Sequence, residues 1–165
     1  MRTKAIKDDS MEHVLALLTR RNEVACRVAL AYGLRIGDVL SLRRWQIEQG
    51  SAVIKEHKTG KRRRLRWSQF LQKQMLSISG DVYVFEHRLD KNKHRTRQAV
   101  YKDIRRAAKA LRIDGCIGTH SFRKSYAVRK FAATGSVKKV RELLNHSDEA
   151  VTMLYVLAEI ADTNR

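Results

Sequence analysis

A chain of 165 residues has the size of one domain and can bury a core without disulfide or metal staples. Lys and Arg number 35 against 17 Asp and Glu, a formal charge of +18, so the surface field attracts a polyanion and nucleic acid is the leading partner. No apolar run of about 18 residues and no basic-then-apolar leader occur, which argues against a membrane partner and predicts a cytoplasmic protein; Cys26 and Cys116 lack the spacing of a disulfide framework or thiolate metal site.

Asp9 or Ser10 is placed to cap a first helix, with Met11, Val14, Leu15, Leu17 and Leu18 at helical spacing up to Arg20 and Arg21. Asn22 restarts the pattern. Glu23 to Tyr32 is apolar enough for a buried helix carrying Cys26 as a core residue, and Gly33 falls where a left-handed cap is expected. A third helical segment runs from Ile36 or Gly37 to about Arg43. At Trp45 the period changes, and Gln46 to Glu48, Ser51 to Lys55 and Lys61 to Trp67 read as three short antiparallel strands with turns at Gly50 and Thr59-Gly60. Arg62, Arg64 and Arg66 then share one face of the last strand, while Leu65 and Trp67 lie on the other.

Helical spacing returns after Ser68 through Phe70, Leu71, Met75 and Leu76. A short segment from Val82 to Phe85 leads to a basic loop, His87 to Arg97, and an amphipathic helix from about Thr96 to Leu111. The last third reads as helices at His120 to Thr134, Val137 to Leu144 and Asp148 to Val156, separated by Gly135-Ser136 and Asn145-His146-Ser147. The expected fold is α+β but mainly helical, one compact domain over residues 1–165 with a small, three-stranded antiparallel sheet.

Four stretches carry residues suited to a phosphodiester: AYGLRIGDVLSL with Arg35 and Asp38, KTGK with Lys58, THSFRKSYA with His120 and Arg123, and LLNHSDEAVTMLY with His146 and Tyr155. In this order, with nine residues from His146 to Tyr155 and a strand hairpin between the first two boxes, they resemble the tyrosine recombinase (phage integrase) family over roughly residues 10 to 160. The resemblance implies a catalytic set of Arg35, Lys58, His120, Arg123, His146 and Tyr155. It implies that Tyr155 attacks the scissile phosphate to give a 3′-phosphotyrosine and a free 5′-hydroxyl, that Lys58 is the general acid, that His120 assists proton transfer or holds the phosphate, that His146 donates a hydrogen bond to it, and that Asp38 steadies the site from behind. Lys124 stands where the family often has histidine and Asn145 where it often has glycine. The N-terminal helical domain usual in the family is absent from this sequence, which fits either an excised catalytic domain or a minimal recombinase.

The chemistry supplies its own reason for the set. Two guanidiniums offer planar pairs of donors to one phosphate, and losing one such donor to the transition state costs about 100- to 1000-fold in rate. His120 and Arg123, three apart, share one side of a helix. An unperturbed phenol titrates near ~10, so Tyr155 needs cations or a base beside it. Lys55 and Lys61 flank Lys58 and compete with it for the acid's role. No metal or cofactor is called for. Arg62, Arg63, Arg64 and Arg66 and, in the basic loop, Lys93, Arg95 and Arg97 are either a solvated charge run or contacts to the DNA backbone.

Double-stranded DNA is therefore the expected partner, with four protomers on synapsed DNA and a monomer when free. Val156, Leu157 and Ile160 suit either packing on a neighbour or folding back. A different class, a regulator without catalysis, is suggested by the helix-turn-helix-like run from Val128 to Leu144, and a basic RNA-binding protein fits the composition alone. Neither explains the Arg35 box, the hairpin lysine and Tyr155 together.

Overall fold

The computed structural model describes residues 6, 8–113 and 115–144. In chain order the elements are α1 (Asp8–Ala16), α2 (Arg20–Tyr32), α3 (Ile36–Leu40), α4 (Arg44–Glu48), β1 (Ser51–Lys55), β2 (Arg62–Arg66), α5 (Gln69–Ile78), α6 (Arg97–Ala110), α7 (Thr119–Thr134) and α8 (Val137–Leu144). The mainly helical class with a small antiparallel sheet is as expected. Among the described residues no helix is long and apolar enough to cross a membrane.

Helix α2 is the axis of the core, because Val24, Ala25, Cys26, Val28 and Ala29 put apolar groups on most of its circumference and all are fully buried. Met11, Val14 and Leu15 from α1, Val100 and Ile104 from α6, and Phe122 from α7 complete one continuous cluster. A smaller cluster, Tyr126, Ala127, Val140 and Leu144, joins α7 to α8. Each large side chain so buried contributes roughly 1.5–3 kcal/mol relative to exposure. Thr96 and Ser68 cap α6 and α5, their hydroxyls accepting from Ala99 N at 3.2 Å and Leu71 N at 3.3 Å. The first helix stops at Ala16 rather than near Arg20, because Thr19 gives its N–H and hydroxyl to Asp103 on α6 and opens α2 instead.

Among the described residues the sheet has two strands, not three. β1 and β2 pair antiparallel with Ser51 opposite Arg66 and Lys55 opposite Arg62. The stretch expected as a further strand, Gln46 to Glu48, belongs to the one-turn helix α4. Locally that helix is fixed by the Gln46 side chain accepting from Arg43 N at 2.9 Å and by an Arg44–Glu48 pair at 2.7 Å. Its last carbonyls are taken by distant donors, Trp67 Nε1 on Gln46 O at 2.8 Å and Gln72 Nε2 on Ile47 O at 2.7 Å. Those donors are supplied by tertiary structure, so local periodicity gives no sign of them.

Alternation in the hairpin decides what faces the protein. Ala52 and Ile54 point inward from β1, and the same period carries the side chain of Glu56 inside, fully buried. On β2, Leu65 and the half-buried Arg63 point inward, leaving Arg62, Arg64 and Arg66 on the exposed face as the spacing predicts.

Candidate active site

Gly33 closes α2 in the left-handed conformation, φ 63°, where residues with a Cβ are strained. The position also has no room: a Cβ there would lie 2.5 Å from Tyr126 Cδ1 and 3.1 Å from Leu144 Cδ2. This close approach of α7 and α8 to the end of α2 brings the second arginine beneath the first. Arg35, two residues on, is the N-cap of α3.

Arg123 is 4% exposed and reaches from α7 to the Gly33 and Leu144 carbonyls, donating to the latter through Nη2 at 2.7 Å. Burial first, then the neighbouring Arg35, pulls its pKa down to about 10, so it remains a cation at neutral pH. Arg35 forms an ion pair with Glu56, whose Oε2 also accepts from Thr59 Oγ1 at 3.0 Å. Arg63 donates to Tyr32 O at 2.6 Å and to the Tyr126 side chain. Three guanidiniums thus converge on two carboxylates, Glu56 and Asp38, at the closed end of the hairpin.

Above this layer opens a cavity of about 620 Å³, lined by Arg35, Asp38, Lys58, Arg97 and His120 together with His57 and His94. Lys58 sits exposed on the turn after β1. His120, in the first turn of α7, has its pKa lowered by surrounding protein atoms first and then by Arg123, Arg35, Lys124 and Lys58. A neutral imidazole amid cations can accept a proton at neutral pH. Asp38 is 2% exposed and accepts at Oδ1 from His57 N at 3.0 Å. The cationic surplus suits an anion with several oxygens. Among the described residues no set of three His, Cys, Asp or Glu is placed to hold a metal ion.

The structure therefore brings Arg35, Asp38, Lys58, His120 and Arg123 together; His146 and Tyr155, the Asp148 to Val156 helix and the apolar patch at Val156, Leu157 and Ile160 lie outside the described residues. None of the described tyrosines lines the cavity. Tyr32 accepts from Ser68 N at 2.8 Å and stacks edge-on against Trp67, Tyr83 lies under Arg43, and burial pushes the Tyr126 phenol up.

Of the loop cations, Lys93 is exposed and pairs with Asp90 at 2.9 Å. Arg97 opens α6 and lines the cavity itself. Arg95 turns inward: its Nε donates to Asn22 Oδ1 at 2.6 Å, so it serves the fold. Arg63, which the sequence places in the exposed charge run, turns inward instead to Tyr32 O, and Glu56 and His57 are not singled out by sequence. Glu56 continues the inward alternation of Ala52 and Ile54, a signal present in the sequence; His57 carries none beyond standing next to Lys58.

The family model described as "Phage integrase family" matches residues 4–160. The Bacillus subtilis protein "Probable integrase/recombinase YoeC" is 28% identical over 74% of this chain and 70% of its own length. The "Tyrosine recombinase XerC" of Alcanivorax borkumensis is 27% identical over 92% of this chain, which spans only 55% of it. A crystal structure of a lambda integrase dimer bound to a COC′ core site superposes with a TM-score of 0.79 at 17% identity, covering 94% of this chain and 60% of that one.

Proposed function

The chain belongs to the phage integrase family, and from that premise we propose that residues 1–165 are the catalytic domain of a site-specific tyrosine recombinase that breaks and rejoins double-stranded DNA through a 3′-phosphotyrosine. The observation that carries this reading is the cavity in which Arg35, Lys58 and His120 meet above the buried Arg123. Arg35 and Arg123 hold the non-bridging oxygens of the scissile phosphate and stabilise the charge that builds at phosphorus. Tyr155 attacks from the final box with His146 donating to the phosphate. No described tyrosine lines the cavity, which favours a nucleophile from that box. His120 takes the phenolic proton, and Lys58, on a turn that can swing, protonates the leaving 5′ oxygen. Asp38 fixes the hairpin through the His57 backbone.

The exposed face of β2, with Arg62, Arg64 and Arg66, tracks the DNA backbone, joined by Lys93 at the loop and by Arg97 at the cavity mouth. The protein is a monomer in solution and a tetramer on two synapsed sites, in the cytoplasm at the nucleoid. A helix-turn-helix regulator is less well supported: α7 and α8 do meet across a left-handed Gly135, φ 64°, but α7 points Arg123 inward and opens His120 to the cavity.

Incubation with nicked suicide DNA carrying a candidate attachment site tests the reading. A covalent adduct on a denaturing gel, formed also in the presence of a chelator and lost in Tyr155→Phe, is the expected result. Adduct formation that survives Tyr155→Phe removes the assigned nucleophile, and no adduct from the wild type returns the regulator to first place.

A further inference from the structure

The mechanism above leaves the side chain of His57 without a role. It directly precedes Lys58, is 69% exposed, and opens into the cavity that holds Arg35, Lys58 and His120. Two contacts fix it to one oxygen: the backbone N–H donates to Asp38 Oδ1 at 3.0 Å, and the ring Nδ1 lies 2.9 Å from the same atom. Asp38 is buried on α3, the helix that begins at Arg35, so the imidazole is tied to the element that carries the phosphate clamp. An ionised carboxylate only accepts hydrogen bonds, so Nδ1 carries the hydrogen of that contact. Nε2 is the ring atom left to gain or lose a proton.

Two cavities meet at the ring. Arg35, Lys58, His94, Arg97 and His120 face His57 across one cavity, and Arg43 and Lys55 across the neighbouring one. Among the described residues Asp38 is the only carboxylate lining either of them, and it is the one in contact with the ring. His120 sits among cations, with no carboxylate partner among the described residues, and suits the opposite task. Lys58, by contrast, hydrogen-bonds to no described residue, so its position is set by a flexible stem on a turn.

We propose that His57, oriented by Asp38, is a second proton donor to the leaving 5′ oxygen, acting beside Lys58; the inference rests on the recombinase reading. As Tyr155 Oη bonds to phosphorus, the P–O5′ bond breaks with its electron pair on oxygen. Nε2–H of the imidazolium gives its proton to that oxygen, leaving a neutral imidazole and a 5′-hydroxyl, while the phenolic proton passes to His120. In rejoining, the neutral Nε2 takes the proton of the attacking 5′-hydroxyl as the P–Oη bond breaks and the phenol regains its proton from His120.

The test compares suicide DNA with oxygen or sulfur at the bridging 5′ position of the scissile phosphate, because a thiolate leaves without a proton. Single-turnover adduct formation is measured from pH 5.5 to 9 for wild type, His57→Gln, Lys58→Ala and the double variant. His57→Gln lowers cleavage of the oxygen substrate by about 10- to 100-fold, below the range for a sole acid because Lys58 remains. The double variant is slower than either single one, and all four proteins cleave the sulfur substrate within about 3-fold of one another. In Lys58→Ala the oxygen rate falls as pH rises through the range where an imidazole loses its proton, and adding His57→Gln removes that fall. Equal slowing of both substrates by His57→Gln means a structural role and overturns the proposal, as does an oxygen rate in Lys58→Ala that His57→Gln leaves unchanged. Wild type that forms no Tyr155-dependent adduct on either substrate overturns the recombinase reading itself, and this inference with it.

Discussion

Helix α2 carries a charged network at each end, and the two are built on opposite principles. At its start, Asp103 accepts from Thr19 N at 2.8 Å, Thr19 Oγ1 at 2.9 Å, Asn22 Nδ2 at 2.7 Å and Arg106 Nη2 at 2.7 Å, while Asn22 Oδ1 takes Arg95. Each group there answers another within the protein, and α2, α6 and the basic loop are tied together. At the other end Arg35, Arg63 and Arg123 outnumber the carboxylates Glu56 and Asp38, and the rim adds Lys58 and Arg97. A network that closes on itself holds a fold; one left with surplus cations and a cavity awaits an anion. Composition alone cannot separate the two, since both draw on the same arginines.

The sharpest way to break this contrast is Arg35→Lys, which keeps the charge against Glu56 but removes the planar fork. Cleavage of suicide DNA is expected to fall about 100- to 1000-fold, with the thermal midpoint nearly unchanged. A large loss of stability with normal cleavage per folded molecule would place Arg35 with the closed network instead.

Asp103→Ala is the mirror experiment. It leaves buried donors unanswered and is expected to cost about 3 kcal/mol in urea unfolding, with cleavage per folded molecule preserved. Burial alone raises the Asp103 pKa, but the hydrogen bonds from Thr19, Asn22 and Arg106 outweigh it and the net shift is downward. A carboxylate lowered on folding stabilises above its unfolded value, near ~3.9, and loses that contribution as pH falls through its folded value. The gap between wild type and Asp103→Asn therefore narrows below pH ~4, which acid titration followed by circular dichroism measures.

Gly33→Ala acts where the two kinds of network meet. The left-handed φ and the 2.5 Å approach to Tyr126 predict a loss of about 1–2 kcal/mol and a shifted Arg123, read as a lower thermal midpoint together with slower cleavage. The smallest effect belongs to the exposed strand face: Arg62→Gln and Arg66→Gln each reduce the slope of log affinity against log salt by about 1, leaving the cleavage rate of bound DNA intact. Arg95→Gln, on the closed side, should lower stability and leave that slope alone.

The sequence made much of this legible, for particular reasons. Apolar spacing located α2 and α5 to α8 to within a few residues, and Gly33 marked the end of α2 because that backbone conformation excludes most other residues. The boxes around Arg35, Lys58, His120 and Arg123 were readable as a set through their resemblance to a family, and the fold brings the first three to one cavity with Arg123 buried beside Arg35. What stayed hidden depends on distant partners. α4 is held by Trp67 and Gln72, Arg95 is turned inward by Asn22, and Arg97 reaches the cavity because α6 begins beside Gly37, whose Cβ position lies 3.5 Å from Arg97 Cδ. The Asp38–His57 contact spans 19 residues and needs the hairpin to fold back on α3.

One bond described above joins two events that chemistry would otherwise treat separately. Arg123 donates to the carbonyl of Leu144, two residues before His146 in the box that also holds Tyr155. On the proposed reading, the guanidinium that grips the phosphate is thus also a fastening for the point from which the segment carrying Tyr155 departs. Free energy is shared across such a joint in both directions: whatever favours one placement of Leu144 favours the corresponding placement of Arg123 by the same amount. DNA that draws the guanidinium toward its phosphate must therefore bias where the last box begins, and a contact that fixes the last box must change the affinity for the phosphate equally.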